Sequence, residues 1–290
     1  MVGRPIEPLV AGVTRKQIRY SRWGGLSVIS ASKQSMTGPV KSGVVSGTYD
    51  TSRNRHRNLT GKDVTHIALV FANFAPAGGT EVANANAITV KATVEDLSPT
   101  GANTQDQPYQ PAETAAGGVL SYTGVSIDRR GVLITKPVPR YFGANADFFT
   151  RVGVTPSSGT AQFPRGGCQF GGTSGWGTDN GEGTTASADR VLDGSSAVNA
   201  NQTSYTYSES AVLGRLADGT IATSVCIGGD SIEDGVDDAG QGGPYIGGIG
   251  RRLFATTPHL RISMPGEKLH DLIAADATVL AKAAQFLAAA

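Results

Sequence analysis

The sequence predicts an α+β multidomain chain that is mainly a β-sandwich or jelly-roll and ends in an incomplete α/β segment. Its 290 residues include 39 glycines and only 7% aromatic residues, a composition that favours short strands joined by tight turns. Polar and apolar residues alternate with period two in the middle of the chain, which is typical of half-buried strands. After residue 216 the pattern becomes strand, helix, strand, helix, which indicates parallel strands.

Residues 1–60 are predicted to form a basic extended arm. Periodicity is weak here, Gly and Pro are interspersed, and residues 53–57 form a short basic run. Residues 1–62 contain eleven Lys and Arg residues against Glu7 and Asp50, a net charge of +9, whereas the rest of the chain carries −8. Such asymmetry can mark docking onto an acidic partner, nucleic acid or a membrane surface. We expect a homo-oligomer or large assembly held through the arm, with no nucleic acid as partner, and no membrane insertion because the sequence has no stretch of eighteen apolar residues. A solvated basic segment is the alternative.

Residues 61–215 are predicted to form the β-sandwich domain. In its clearest strand Ile88, Val90, Ala92 and Val94 alternate with polar residues, so these four side chains should face the core. Gly, Pro, Asn and Asp turn signals separate several short strands with no helix between them, which is typical of sandwiches. The other predicted strands are Val64–Phe74, Val125–Ile127, Val132–Thr135, Phe148–Val154 and Ser204–Tyr207.

A long Gly-, Ser- and Thr-rich loop is predicted between residues 153 and 185, and loops of this length inside compact domains tend to bind ligands. Trp176 is close in sequence to Asp179 and Asn180, and an indole face beside polar groups suits a sugar ring. These three residues are therefore candidates for glycan binding; a surface loop anchored by its Trp is the alternative. The acidic fragment 179–182 lacks the full ligand spacing of a calcium loop, so we predict no metal site.

Residues 216–290 are predicted to begin an α/β domain that the chain does not complete. Ile221–Ile227 and Leu260–Met264 are two short apolar strands, and residues 269–287 repeat apolar side chains at three- and four-residue steps, as in an amphipathic helix. Two parallel strands cannot bury both faces of their sheet, so we expect the chain to be part of a longer protein. The alternative is that another chain completes the packing.

The motif that points to chemistry follows the first of these strands. It reads Gly229-Asp230-Ser231-Ile232, with Gly235 three residues later, and Gly266 follows the second strand. These two blocks, in this order, resemble the first and second blocks of the SGNH (GDSL-type) serine hydrolases. The resemblance covers only the region from residue 216 onward and implies the start of a flavodoxin-like α/β catalytic domain.

The resemblance also implies a role for each residue of the motif. Ser231 would be the nucleophile, which needs a base to take its proton. The backbone N–H groups of Ser231 and Gly266 would form the oxyanion hole, while Asp230 would fix the turn. No cofactor is implied. The family's third block and its Asp-x-x-His are missing, and His270 follows Gly266 too closely to be the base, so we expect the 290-residue chain to be inactive.

Two functions are consistent with these features. The first is a β-sandwich structural or glycan-binding protein that carries the beginning of a serine esterase, as a virion or tail-associated subunit of a large assembly. The alternative is a carbohydrate esterase or deacetylase whose remaining catalytic blocks lie beyond residue 290. The first residues lack the continuous apolar core of a signal peptide, which is consistent with a virion component or with cytoplasmic synthesis.

Overall fold

The computed structural model describes residues 25–32, 41–44, 50–77, 80–83, 86–96, 110–111, 113–114, 124–129, 131–156, 162–165, 180–182, 191, 207–229, 253 and 256–262. Strands account for 59% of this part of the chain and helix for 1%. In chain order the strands are β1 (Leu26–Val28), β2 (Lys41–Val44), β3 (Asp50–Arg57), β4 (Val64–Ala72), β5 (Phe74–Ala77), β6 (Thr80–Ala83), β7 (Ile88–Asp96), β8 (Gln110–Pro111), β9 (Glu113–Thr114), β10 (Val125–Ile127), β11 (Val132–Lys136), β12 (Val138–Phe142), β13 (Asp147–Pro156), β14 (Gln162–Arg165), β15 (Asn180–Glu182), β16 (Ala211–Leu216), β17 (Val225–Ile227) and β18 (His259–Arg261).

The first of two six-stranded sheets has the order β1–β16–β4–β11–β9, and β12 also pairs with β4. All of these pairings are antiparallel. Strands β11 and β12 follow one another along the same side of β4, with a break at Pro137, which has no N–H to donate to the ladder. Near the break the Leu69 N–H donates to Thr135 Oγ1 at 2.9 Å, so a side chain takes the place of a ladder carbonyl.

The second six-stranded sheet has the order β10–β7–β13–β3–β15, and β8 pairs with β7 at Thr93 and Val94. Its centre is β13, which pairs antiparallel with β3 from Asp147 to Val154 and with β7 from Phe148 to Pro156. The remaining strands form three two-stranded sheets, β14–β2, β5–β6 and β17–β18, and only the last of these is parallel.

One hydrophobic core joins the inner faces of the two large sheets, an arrangement compatible with a β-sandwich. From the first sheet it contains Ile67, Leu69 and Phe71 of β4, which alternate along the strand with residues of the outer face. From the second sheet it contains, among others, Ile88, Val90, Ala92, Val94, Phe148, Val152 and Val154. The predicted inward face of residues 88–94 is therefore confirmed.

A second apolar cluster covers the outer face of the first sheet. Its sheet residues are Leu26, Val28, Ala68, Val70, Ala211 and Leu213, and Leu260 and Ile262 from the region of β18 pack onto them. The parallel pair β17–β18 is thus a third layer on the first sheet. The chain reaches this layer around the edge strand β1, where the Ala222 N–H donates to Ser27 Oγ at 2.9 Å.

The predicted fold class is wrong in its α/β part. The described residues contain no helical element, and their large sheets are antiparallel, so the expected flavodoxin-like SGNH segment is not found. The strand β16, just before the expected boundary, pairs in the first sheet, and the two parallel strands after it are only three residues long and pack on that sheet. The helix expected over residues 269–287 lies outside the described residues.

The expectation that residues 1–60 form an arm is wrong for the two parts of this segment that the structure describes at length. Residues 26–28 are an edge strand of the first sheet, and residues 50–57 are the β3 strand of the second. Four other predicted strands agree with β4, β10, β11 and β13. In the predicted strand Ser204–Tyr207 only Tyr207 is described, and it lies outside any strand.

Candidate functional site

The parallel pair β17–β18 leads into both blocks of the predicted esterase motif. Ile227, the last residue of β17, pairs with Arg261, the last residue of β18. Just beyond the strands the Ile262 N–H donates to the Ile227 carbonyl oxygen at 2.8 Å. Gly229 follows β17 and is half-buried. The two segments that precede the predicted nucleophile and the predicted oxyanion glycine therefore leave the sheet side by side.

The stretch of chain that follows β1 holds β18 in place. The His259 N–H donates to the Ser30 carbonyl (3.2 Å), and the Ser32 N–H donates to the His259 carbonyl (3.0 Å), which forms a parallel bridge at Ala31. Ser32 Oγ also donates to the Ser210 carbonyl at 2.7 Å. These bonds fix β18 to residues 30–32, which follow β1 of the first sheet. Because β17 pairs with β18, the sandwich also sets the position of β17.

Only two of the sequence-predicted site residues are described, and they lie on different sheets. Gly229 follows β17, and Asn180 is the first residue of β15, where it pairs with Arg53 in the second large sheet. The nucleophile, the oxyanion glycine, the motif residues and the other glycan-binding candidates, namely Ser231, Gly266, Asp230, Gly235, Trp176 and Asp179, lie outside the described residues. Their assignments stay predictions.

His259 is fully buried and lies at the first position of the parallel pair. It pairs with Val225, the first residue of β17, whereas the predicted nucleophile follows the last. Its Nδ1 lies 3.0 Å from the Thr257 carbonyl oxygen. Since a carbonyl oxygen can only accept, Nδ1 is the donor of this hydrogen bond. Burial lowers the pKa of His259 to about 4, with a smaller lowering from the Arg261 charge and an opposing effect of the Thr257 carbonyl. The imidazole is therefore neutral near pH 7.

Cys226, between Val225 and Ile227, packs at the margin of the second apolar cluster. Burial raises the pKa of its thiol to about 11, so the thiolate that would act as a nucleophile is scarce near neutral pH. The side chain therefore has the properties of a small core residue.

A group of polar side chains that the sequence analysis missed lies between the two large sheets. We call it the polar centre, and each member is at most 3% exposed: Ser30, Ser52, Asn54, His56, Thr150, Ser208 and Glu209. Three of them alternate along β3 on its inner face, where apolar residues would be expected. Polar groups in such a place require hydrogen-bond partners.

Glu209 is the hub of the polar centre. Its Oε1 accepts hydrogen bonds from His56 Nε2 and from Thr150 Oγ1, the latter at 3.1 Å. Its Oε2 accepts from Asn54 Nδ2, also at 3.1 Å. Ser208 Oγ donates to Asn54 Oδ1 at 3.3 Å, so both ends of the Asn54 amide are held.

The remaining members, Ser52 and Ser30, contact the backbone and the His56 ring. Ser52 Oγ donates to the Tyr207 carbonyl at 2.7 Å, and Ser30 Oγ lies 3.2 Å from His56 Nδ1. The His56 ring stacks on Phe148 with a centroid distance of 5.3 Å. The imidazole is therefore fixed in the plane that directs Nε2 at the carboxylate.

Opposing effects act on the Glu209 carboxyl. Burial raises its pKa, but the charge and hydrogen bond of His56, together with the hydrogen bond from Thr150, lower it by more, so the net shift is downward. Glu209 is therefore an ionised, desolvated carboxylate at neutral pH, and its Oε1 accepts the hydrogen bond of the Thr150 hydroxyl. Tyr207, whose hydroxyl donates to the Ala72 carbonyl at 3.0 Å, has a pKa raised well above 10 by burial and stays neutral.

Ser30, His56 and Glu209 are connected in the order of a serine hydrolase triad, yet they cannot act on an external ester. Their exposures are 1%, 3% and 0%, so no substrate from solution reaches Ser30. Any reaction at the polar centre has to take place between groups that are already inside it.

Part of the basic run of β3 is neutralised across the sheet. Asp147 accepts from Arg55 Nη2 at 2.6 Å and from Arg57 Nε at 2.8 Å. Burial raises the Asp147 pKa, but the hydrogen bonds and charges of the two guanidinium groups lower it by more, so the carboxylate is ionised. Residues 55 and 57 are thus engaged within the chain.

No three His, Cys, Asp or Glu side chains come together as a possible metal site in the part of the chain that the structure describes. Within the same part, no helix is long and apolar enough to cross a membrane. No protein-family model matches the chain, and a search of curated proteins gives no match.

Proposed function

We propose that the protein is a structural and glycan-binding β-sandwich subunit of a larger assembly, and that β17 carries the first block of an SGNH-type serine esterase. The observation that supports this is the attachment of β17–β18 to the first sheet through the backbone of residues 30–32 and through Leu260 and Ile262. A nucleophile on a strand-end turn needs such a rigid base.

The structural role is tested by the size of the protein in solution. Sedimentation velocity of the full chain over a range of concentrations should give species larger than a monomer, and added salt should shift them to smaller sizes, because exposed charge attraction is screened over about 8–10 Å at ordinary ionic strength. A monomer at every concentration and salt level would contradict the proposal.

The glycan-binding role is tested with a panel of immobilised oligosaccharides. Trp176→Ala should lose binding that the wild type shows, because the indole would supply the flat face for the sugar ring. Trp23→Ala, which changes the other tryptophan of the chain, is the matched control and should bind like the wild type. Equal binding by both variants would exclude Trp176 as the platform.

A serine esterase is the second candidate, and the side-by-side exit of the two strands favours it. Ser231 follows Ile227 by four residues and Gly266 follows Arg261 by five, so both start from one edge of the pair. We expect the 290-residue chain to hydrolyse p-nitrophenyl acetate no faster than buffer, since the sequence lacks the family's Asp-x-x-His that would supply a base for Ser231. Turnover that Ser231→Ala abolishes, and that the exposed control Ser126→Ala retains, would instead establish an active esterase.

A further inference from the structure

We propose that the polar centre is a modification site, at which the Thr150 hydroxyl attacks the Asn54 side-chain amide and joins β13 to β3 by an ester bond, with release of ammonia. The inference is independent of the function proposed above. It follows from four groups that the fold holds together: a hydroxyl, a carboxylic amide, a carboxylate and an imidazole.

The nucleophile and the electrophile are neighbours across two adjacent strands. Thr150 and Asn54 are directly paired in the register of β13 and β3, and both side chains lie on the buried face. Paired residues on one face have Cβ atoms about 4.5–5.5 Å apart, and the three-bond link between the two Cβ atoms needs them to approach to about 3.5–4.5 Å, as they do across a disulfide, which has the same number of bonds. Groups fixed in this way react far faster than free ones.

The base and the proton donor are one carboxylate. Glu209 Oε1 accepts the Thr150 hydroxyl hydrogen bond at 3.1 Å, while Oε2 accepts from Asn54 Nδ2 at 3.1 Å. A carboxylate that bridges both groups takes the proton from the attacking oxygen and gives one to the departing nitrogen. His56, which contacts both Glu209 and Thr150, holds the carboxylate ionised before the reaction.

The developing negative charge also has a donor. When Thr150 Oγ1 adds to the amide carbon, charge builds up on Asn54 Oδ1, which already accepts from Ser208 Oγ at 3.3 Å. The bond from Oγ1 to the amide carbon forms and the bond from that carbon to Nδ2 breaks. The amide nitrogen leaves with its own two hydrogens and the Thr150 proton as ammonia, and Glu209 returns to its ionised form.

Burial would protect the product. Thr150, Asn54 and Glu209 are all 0% exposed, so water that could hydrolyse an ester is kept away from the bond. Ammonia is small and is lost to solvent, which makes the reaction effectively one-way.

The first measurement is the intact mass of the full-length wild-type protein after folding and prolonged storage at neutral pH. The expected value is one ammonia below the mass calculated from the sequence. Trypsin cuts after Arg53, Arg55, Arg140 and Arg151, so the ester should join the dipeptide 54–55 to the peptide 141–151. Alkaline hydrolysis should then release the two peptides, with aspartate in place of Asn54. A wild-type protein of calculated mass overturns the proposal, and so does an ammonia loss that maps to any other pair of residues.

Variants identify the participating groups. Thr150→Val, which keeps the shape but removes the hydroxyl, and Glu209→Gln should both have the calculated mass. Thr93→Val removes an equally buried threonine outside the polar centre and should still show the loss. If Thr150→Val does not fold, Thr150→Ser keeps a nucleophile and should form the link between the same two peptides. Loss of ammonia in folded Thr150→Val overturns the assignment. It is also overturned if folded Thr150→Ser and folded Thr93→Val both keep their calculated masses.

Discussion

Replacing Leu260 by Ala tests whether the β17–β18 layer folds as part of the sandwich. Leu260 is 2% exposed and packs in the outer apolar cluster with Val28, Val70 and Leu213. A buried Leu-to-Ala change costs about 2–5 kcal/mol, because the transfer free energy of the side chain is lost and a cavity remains. We expect about 3 kcal/mol here. With a urea slope of about 3 kcal/mol per M, the unfolding midpoint should fall by about 1 M.

Urea unfolding followed by intrinsic fluorescence measures this change, and hydrogen exchange of residues 225–227 and 259–262 reports on the layer itself. Ile221→Ala is the matched control, since Ile221 is 61% exposed and its loss should alter stability by at most about 0.5 kcal/mol. If Leu260→Ala leaves the global midpoint at that of the control and only the exchange of the layer accelerates, the layer unfolds separately. That result would refute the view that the sandwich fixes the position of β17.

Three other changes probe the interior. Glu209→Gln should destabilise the fold by about 3–5 kcal/mol, because a buried pair loses one partner. The wild type should lose stability as the pH falls below 4.5, the ordinary pKa of a Glu carboxyl, because the pKa of Glu209 is lower in the folded state. Acid denaturation monitored by circular dichroism checks both effects. The pKa of His259 is about 4 in the folded state against an ordinary value of 6.5, so the unfolded state binds more protons between these two values. Stability should therefore fall on acidification from pH 6.5 to about 4, by up to about 1.4 kcal/mol per pH unit. Urea titrations should show this slope in the wild type and a smaller slope in His259→Asn. A Cβ on Gly214 would lie 2.8 Å from Ile29 Cγ2 and 2.9 Å from Val64 Cγ1, so Gly214→Ala should cost about 1–3 kcal/mol in thermal unfolding, whereas Gly143→Ala, with its nearest atom at 3.9 Å, should be nearly neutral.

The part of the fold that alternation specifies could be predicted from the sequence. In β7 the residues Ile88, Val90 and Val94 are apolar and their neighbours are polar, so period two alone identifies both the strand and its inward face. The same reasoning finds most of β13, because Phe148, Val152 and Val154 occupy inward positions. In β7 the apolar residues form the buried face, and burial of one face is the property that the pattern reports, whereas β13 is buried on both faces, with Phe149 at 1% and Arg151 at 0% exposure.

The strand β3 could not be found in this way, because its inward residues are polar. Ser52, Asn54 and His56 do alternate with three other residues, but hydrophobicity assigns them to a surface. Burial of Asn54 and His56 is possible because Glu209 supplies acceptors from a position 153 residues beyond His56, while Ser52 donates to the Tyr207 carbonyl. A pairing at that distance along the chain leaves no trace in a local pattern. The signal available in the sequence is that Arg53, Arg55 and Arg57 recur at every second position, which is the period of a strand.

The candidate esterase site illustrates the limit of a motif. The pattern around residues 221–231 correctly indicates a strand that pairs in parallel with a later one, but the prediction that this pair begins an α/β domain is wrong. Short parallel strands need cover on both faces, and here the first sheet provides it on one of them through Leu260 and Ile262. The sequence specifies that these strands are apolar but not which surface buries them.

The charge asymmetry of the chain is also partly resolved inside the fold. The basic run of β3 meets Asp147 of β13, about ninety positions later, so two of its three arginines are paired with an acid from the negatively charged part of the sequence. Charges far apart in the chain therefore neutralise one another across a strand pair, and their separation in sequence carries no information about a partner. The residues before 50, with seven Lys and Arg against one Glu, carry an unbalanced positive charge that could attract another chain. Because long-range attraction depends on net local charge, salt-dependent assembly should respond to neutralisation of Arg15, Lys16 and Arg19 more than to that of Arg55 and Arg57. The opposite order in sedimentation velocity would place the interface on the outer face of β3 instead.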